Sequence, residues 1–271
     1  LGHNNQRWFL GNKLNMPDVI DALPDNLQPQ TASVLGLPIH LLTDYPDWLL
    51  AQLAAGDRGV HVVTLNAEMA MQAEQNDALA AVIRQADLVI PDGAGVALYL
   101  RLRSHRVNRC PGIELSERVI RASADPTLPG APYSLFFFGG APGVAEKAAR
   151  LWQEKVPGLA IAGVQHGYLS AEEQAPLLER LQKLQPRLIL VGLGVPRQEF
   201  WIAQHRHLCP HSVWIGVGGS FDIWSGTKTR APGWLRDNNL EWVYRLYQEP
   251  WRWRRMLALP QFAWRAIVYR G

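Results

Sequence analysis

Six short apolar runs set the limits on how this chain folds. They are HVVTLN from His61, DLVIPDG from Asp87, YSLFFFGG from Tyr133, LAIAGVQHG from Leu159, RLILVGLG from Arg187 and SVWIGVGG from Ser212. Each is continuous rather than alternating, and each ends in small or polar residues. A strand buried on both faces carries that pattern, whereas a strand wet on one face alternates. Segments of crossover length separate the runs. The first, AEMAMQAEQNDALAAVIRQA from Ala67, reads as one amphipathic helix crossing over the sheet. The expected fold class is α/β, a Rossmann-like and mostly parallel sheet with helices on both faces.

Three parts are expected. Residues 1–32 are polar with scattered prolines and read as an N-terminal extension, after which VLGLPIHLL from Val34 adds a strand or small hairpin. Residues 33–226 hold the α/β domain. Beyond Gly226 the strand pattern stops, and residues 227–271 read as a helical appendage broken at Pro232, Pro250 and Pro260. The appendage has nine basic residues against three acidic ones, so in a chain of net charge +3 the remainder is negative. It also carries Trp234, Trp242, Trp251, Trp253 and Trp264. Arginine interleaved with tryptophan fits an anionic membrane surface better than nucleic acid, which is not expected as a partner; an ordinary packed helical tail is the alternative. No run approaches the ~20 apolar residues of a membrane-spanning helix, and LGHNNQRWFLGNKLN at the start lacks the apolar core of a secretory leader. Cys110 and Cys209 form no C-x-x-C pair, which points to a reducing cytoplasm.

In a parallel sheet the carboxyl ends of the strands face one crevice. Here those ends supply Thr64, Asn66, Asp92, Gly139, Gly140, Pro196, Arg197, Gln198, Gly218, Gly219 and Asp222. Glycine pairs admit phosphate to backbone N–H groups and the polar side chains suit sugar hydroxyls, so a nucleotide-type ligand is expected. Thr64, Asn66 and Gln198 either orient that ligand or satisfy backbone groups at the strand ends. Asp92, with Gly93 and Gly95 behind it, is a ribose-binding group, a helix cap or a chemical participant. A nicotinamide site fits poorly, because Leu98 fills the third glycine position of GAGVAL and the acid precedes the glycines. No G-x-x-x-x-G-K-[ST] occurs. HRHLCPH from His205 reads as a solvated turn rather than a zinc site, and no D-x-D pair stands ready for a divalent ion. No cofactor and no metal are expected; charge on a leaving group would fall to arginines and backbone dipoles.

VVTLNAEM, ADLVIPDGAGV, RCPGIEL, GLGVPRQEFW, GVGGSFDIWSGTKTRAPGW and LEWVYRLYQEPWRWRR together resemble, in order and spacing, the WecG/TagA/CpsF glycosyltransferases. The resemblance covers about Val34 to Arg255; Ala67 stands where that family commonly has proline, and residues 1–32 have no counterpart. It implies an inverting, metal-independent transfer of an N-acetylmannosamine-type sugar from a UDP-sugar to a polyprenyl-diphosphate-linked amino sugar. The setting implied is the cytoplasmic, inner face of the cell membrane, during cell-surface polysaccharide synthesis. Carried over residue by residue, it makes Thr64, Asn66, Asp92, Arg109 and Gln198 the polar pocket and Arg245, Arg252 and Arg255 the appendage arginines. Asp222 becomes the acid on the nucleoside side. Asp92 then takes the acceptor's proton, while Arg109 and the appendage arginines meet the charge growing on UDP. Spacings of seven and three put Arg245, Arg252 and Arg255 on one helical face, with Pro250 able to tilt the second part.

An appendage that closes the crevice as it docks on lipid would be needed for turnover, with a folded core surviving its removal. Homo-oligomerisation stays open. The competing readings are a soluble sugar-nucleotide epimerase or dehydrogenase and a non-catalytic nucleotide-binding membrane module.

Overall fold

A computed structural model describes residues 28–105, 107, 109–238 and 240–269. Residues 1–27 of the expected extension lie outside the described residues. The elements run β1 (Gln30–Val34), β2 (Leu37–Leu41), α1 (Tyr45–Ala55), β3 (Val60–Leu65), α2 (Ala67–Glu74), α3 (Asp77–Arg84), β4 (Leu88–Pro91), α4 (Ala94–Leu102) and α5 (Gly112–Ala122). They continue with β5 (Leu135–Gly139), α6 (Val144–Lys155), β6 (Ile161–Gln165), α7 (Ala171–Leu184), β7 (Leu188–Gly192), α8 (Arg197–His205), β8 (Val213–Gly216) and α9 (Ser220–Trp224). The tail forms α10 (Gly233–Asp237), α11 (Glu241–Gln248), α12 (Trp253–Met256) and α13 (Ala258–Val268).

All six apolar runs are strands of one parallel sheet, ordered β4-β3-β8-β7-β5-β6. Alternate residues of each strand feed opposite faces. Val60, Val62, Leu88, Ile90, Leu135, Phe137, Leu188, Leu190, Val213 and Ile215 pack with α1, α5, α6 and α9. On the other face, Val63, Leu65 and Val89 pack with α2, α3 and α4, while Phe136, Phe138, Ile189, Val191 and Trp214 pack with α7 and α8. Both faces being covered is why the runs show no polar alternation.

The N-terminal hairpin of β1 and β2 turns on Leu35 and Gly36, both at positive φ, a two-residue geometry matched to strand twist. It flanks β4, an edge strand. There the Val89 N–H, which has no neighbouring strand to bond, donates to His40 Nδ1 at 2.8 Å. Because β1 begins at Gln30 and Ala32 is buried, the last residues assigned to the extension belong to this hairpin.

Two helix expectations need correction. The segment from Ala67 is two helices, not one: Asn76 interrupts it and caps α3 by accepting the Leu79 N–H at 3.1 Å. In the tail, α10 does start after Pro232 and a 3₁₀ turn spans Pro250–Arg252, but α13 runs through Pro260. That proline lies in the first helical turn, where no intrahelical N–H bond is lost.

The appendage is also tied to the core. Phe262 of α13 is buried among α2 and α4 residues, 6.0 Å from the Tyr99 ring, and Arg265 pairs with Glu74 of α2. Arg103 of the α4 end donates to the Tyr269 carbonyl at 2.7 Å. Cutting the chain at Thr227 would therefore uncover apolar surface, so the expected free-standing soluble core does not follow from this packing.

Candidate active site

The carboxyl ends of β3, β4, β7 and β8 open onto a crevice of about 480 Å³, walled on its far side by α11, the 3₁₀ turn and α12. Thr64, Asn66, Asp92, Gly140, Gln198, Asp222, Arg245, Arg252 and Arg255, all expected from sequence, line it. Gly139 and Arg109 do not.

Asp92 follows β4 directly. Its N–H donates to Leu65 O at 2.9 Å, which fixes the backbone to the end of β3. Burial pushes its carboxyl up to about 6; Arg245 opposes this, Glu241 adds to it, and the Gly112 N–H and Arg109 pull it back. Geometry explains the first of the two glycines behind it: Gly93 opens α4 at φ 96°, a backbone conformation that side chains rarely adopt. A Cβ on Gly95 would stand in ordinary contact, 3.4 Å from Ala67 and 3.7 Å from Phe262.

The glycine pair at the end of β5 has a structural reason of its own. Gly139 pairs with Gly192 at φ 139°, where a Cβ would meet the Gly192 carbonyl oxygen at 2.4 Å, and the Gly140 N–H is spent on that same oxygen at 3.1 Å. Arg109 stands beside Asp92 and acts on it through charge, outside the crevice wall.

The neutral polar residues are partly committed to backbone. Asn66 Oδ1 caps α2 by accepting the Met69 N–H at 2.9 Å, and the Thr64 hydroxyl donates to Gly216 O at 3.4 Å. Gln198 Oε1 accepts the Gly218 N–H at 3.1 Å. Each retains further hydrogen-bonding capacity toward the crevice: the Asn66 amide N–H₂, the Thr64 lone pairs, and one N–H and one lone pair of Gln198.

Sequence reasoning missed how far carboxylates occupy the basic wall. Arg245 Nη2 is 3.1 Å from Glu241, Arg252 Nη1 is 2.8 Å from Glu249, and Arg255 Nη1 is 3.8 Å from Glu68. Lys228, counted only as tail charge from sequence, bridges Asp222 at 2.8 Å and Glu249 at 3.0 Å. Burial alone would lower its ammonium, but these two acids outweigh it and hold it above its usual range. Arg230 joins the group through Glu114 at 2.6 Å and Glu241 at 3.8 Å. Of the lining cations Arg197, Lys228, Arg230, Arg245, Arg252 and Arg255, the last five are held by carboxylates. The arginines among these could exchange a carboxylate for the oxygens of a diphosphate ester. Tyr168, exposed at the mouth, also went unremarked. The signal for the acids was their spacing of four and three residues from the arginines.

His205, His207, Cys209 and His211 do not converge. His205 Nδ1 lies 2.8 Å from Trp201 O, and buried Cys209 donates to Leu181 O. Trp201 packs on Phe138 and Trp214 as a core residue. Among the described residues no helix is long and apolar enough to cross a membrane.

A protein from Bacillus spizizenii named N-acetylglucosaminyldiphosphoundecaprenol N-acetyl-beta-D-mannosaminyltransferase is 36% identical over 224 residues, covering 82% of this chain and 81% of its own. Proteins of the same name from Bacillus subtilis and Staphylococcus aureus are each 32% identical, covering 86% and 75% of this chain and 90% and 78% of their own. The model of the Glycosyl transferase WecG/TagA/CpsF family matches residues 32–271. With the strand-end crevice, the acid behind β4 and the arginine wall all inside that match, the chain belongs to the WecG/TagA/CpsF family of glycosyltransferases.

Proposed function

We propose that the crevice transfers an N-acetylmannosamine-type sugar from a UDP-sugar to a polyprenyl-diphosphate-linked N-acetylglucosamine, with inversion at the anomeric carbon. The observation that carries this reading is the placement of Asp92 at the end of β4, lining the same crevice as Arg245, Arg252 and Arg255, with its carboxyl raised by burial. The mannosaminyltransferase names of the relatives supply the sugar and the acceptor class.

In the proposed reaction an acceptor hydroxyl attacks the anomeric carbon while the bond to the UDP oxygen breaks. The hydroxyl proton passes to Asp92, which must be ionised to accept it. The bonding electrons leave with UDP, and Arg245, Arg252 and Arg255 receive the growing charge on its diphosphate. Asp222, which pairs with Lys228, meets the nucleoside in this reading. Thr64, Asn66 and Gln198 orient the transferred sugar.

The acceptor's lipid suits docking at the inner face of the membrane. Trp234, Trp251, Trp253 and Trp264 are exposed along the basic tail, so rings can enter the headgroup layer while arginines meet anionic lipid. The test uses a lipid-diphosphate acceptor in anionic vesicles and a panel of UDP-N-acetylhexosamines. Vesicle-bound protein should form an inverted glycosidic linkage, read by NMR, from one donor far above the others. No transfer from any donor overturns the reading, and full activity on vesicles that the protein does not bind overturns the docking.

A further inference from the structure

Glu199 is fully buried, follows Gln198 on the first turn of α8, and does not line the crevice. A carboxylate with no access to water is costly unless paired and hydrogen-bonded. Its Oε2 lies 2.8 Å from Nε2 of buried His61 on β3, and its Oε1 accepts from Gln198 Nε2 at 2.9 Å. The chain does not stop there, since Gln198 Oε1 accepts the Gly218 N–H in the crevice wall.

Donor–acceptor chemistry makes this order directional. A carboxylate only accepts, so the imidazole must donate from Nε2 and Gln198 must turn its N–H₂ toward Glu199. A backbone N–H only donates, so Gly218 independently demands the Gln198 oxygen. Both neighbours dictate one amide orientation. Space is reserved for the pair as well: a Cβ on Gly216 would stand 2.4 Å from Gln198 Nε2 and 2.6 Å from Glu199 Oε1.

We infer that Glu199, braced by His61, is a positioning residue that locks the amide direction of Gln198 and the Gly218 corner of the crevice. The remaining N–H and lone pair of Gln198 then meet the transferred sugar in a fixed pattern. This rests on the proposed transfer reaction. A salt bridge that merely pinned α8 to β3 would need no amide beyond it.

The test is Glu199→Gln in the full chain. The replacement has the same shape, and its oxygen can keep the His61 bond. Its N–H₂ then faces the Gln198 N–H₂, which drives the Gln198 amide to turn and face the Gly218 N–H with a donor. Expected are a kcat at least about tenfold lower, UDP affinity within about twofold of wild type, and a crystal structure with the Gln198–Gly218 bond lost. Unchanged kcat, or an unmoved Gln198 still accepting from Gly218, overturns the inference. If the wild type transfers no sugar, the transfer reading fails, while the variant's crystal structure still decides the positioning relation. Should Glu199→Gln fail to fold, the exchange Gln198→Glu with Glu199→Gln keeps all three hydrogen bonds. Recovery of a cooperative thermal melt in the exchanged protein supports the lock, and an exchanged protein equally unfolded overturns it.

Discussion

Asp92, as the proposed base, sets the expected pH dependence of transfer. Burial raises its carboxyl to about 6 from an ordinary value near 4, with Glu241 adding to the rise and Arg245 opposing it. A base must be ionised, so kcat/KM should climb with pH through about 6 and level above it. The linked stability runs the other way. Between about 4 and 6 the folded protein binds the proton that the unfolded chain has released, so this group's contribution falls as pH rises through that window. Glu241→Gln should move the acid limb of the rate profile to lower pH, and Arg245→Gln should move it higher; unmoved limbs in both variants would detach the limb from Asp92.

Asp92 was legible because a strand end announces itself by the stop of an apolar run. Lys228 was not placed in the site, because its partners Asp222 and Glu249 lie on other elements; Glu241 and Glu249 stand four and three residues from Arg245 and Arg252, but that spacing looks the same on a solvated helix face as on a crevice wall. His61 looked like one more strand residue and Glu199 like a helix residue. Only the packing of α8 on β3 makes them a pair.

Among the elements, the sheet was readable strand by strand, since burial on both faces leaves an uninterrupted apolar signature. Helix ends were less so. Asn76-Asp77 carried a cap signal inside an otherwise helical pattern, and the apolar periodicity on either side masked it. The tail's charge and tryptophans likewise drew attention from Phe262, whose role depends on a contact with α4 some 160 residues earlier in the chain. Phe262→Ala removes a buried ring from that contact and should cost about 3 kcal/mol, measured by denaturant unfolding. A loss well below about 1 kcal/mol would mean that α13 is not anchored as described.

For the molecule as a whole, the resting crevice stores its positive charge in ion pairs. Glu241 and Glu249 hold Arg245 and Arg252, while Lys228 joins Asp222 to Glu249. An arriving diphosphate would compete for those guanidinium groups beside Asp92, the carboxylate proposed to take the acceptor's proton. Binding and chemistry should therefore separate at Asp92. The most direct measurement sets UDP affinity by calorimetry against transfer rate for wild type and Asp92→Asn. UDP affinity should stay within a few fold while transfer falls about 10²–10⁴-fold, the span a general base supplies. Transfer by Asp92→Asn at the wild-type rate would contradict that role for Asp92.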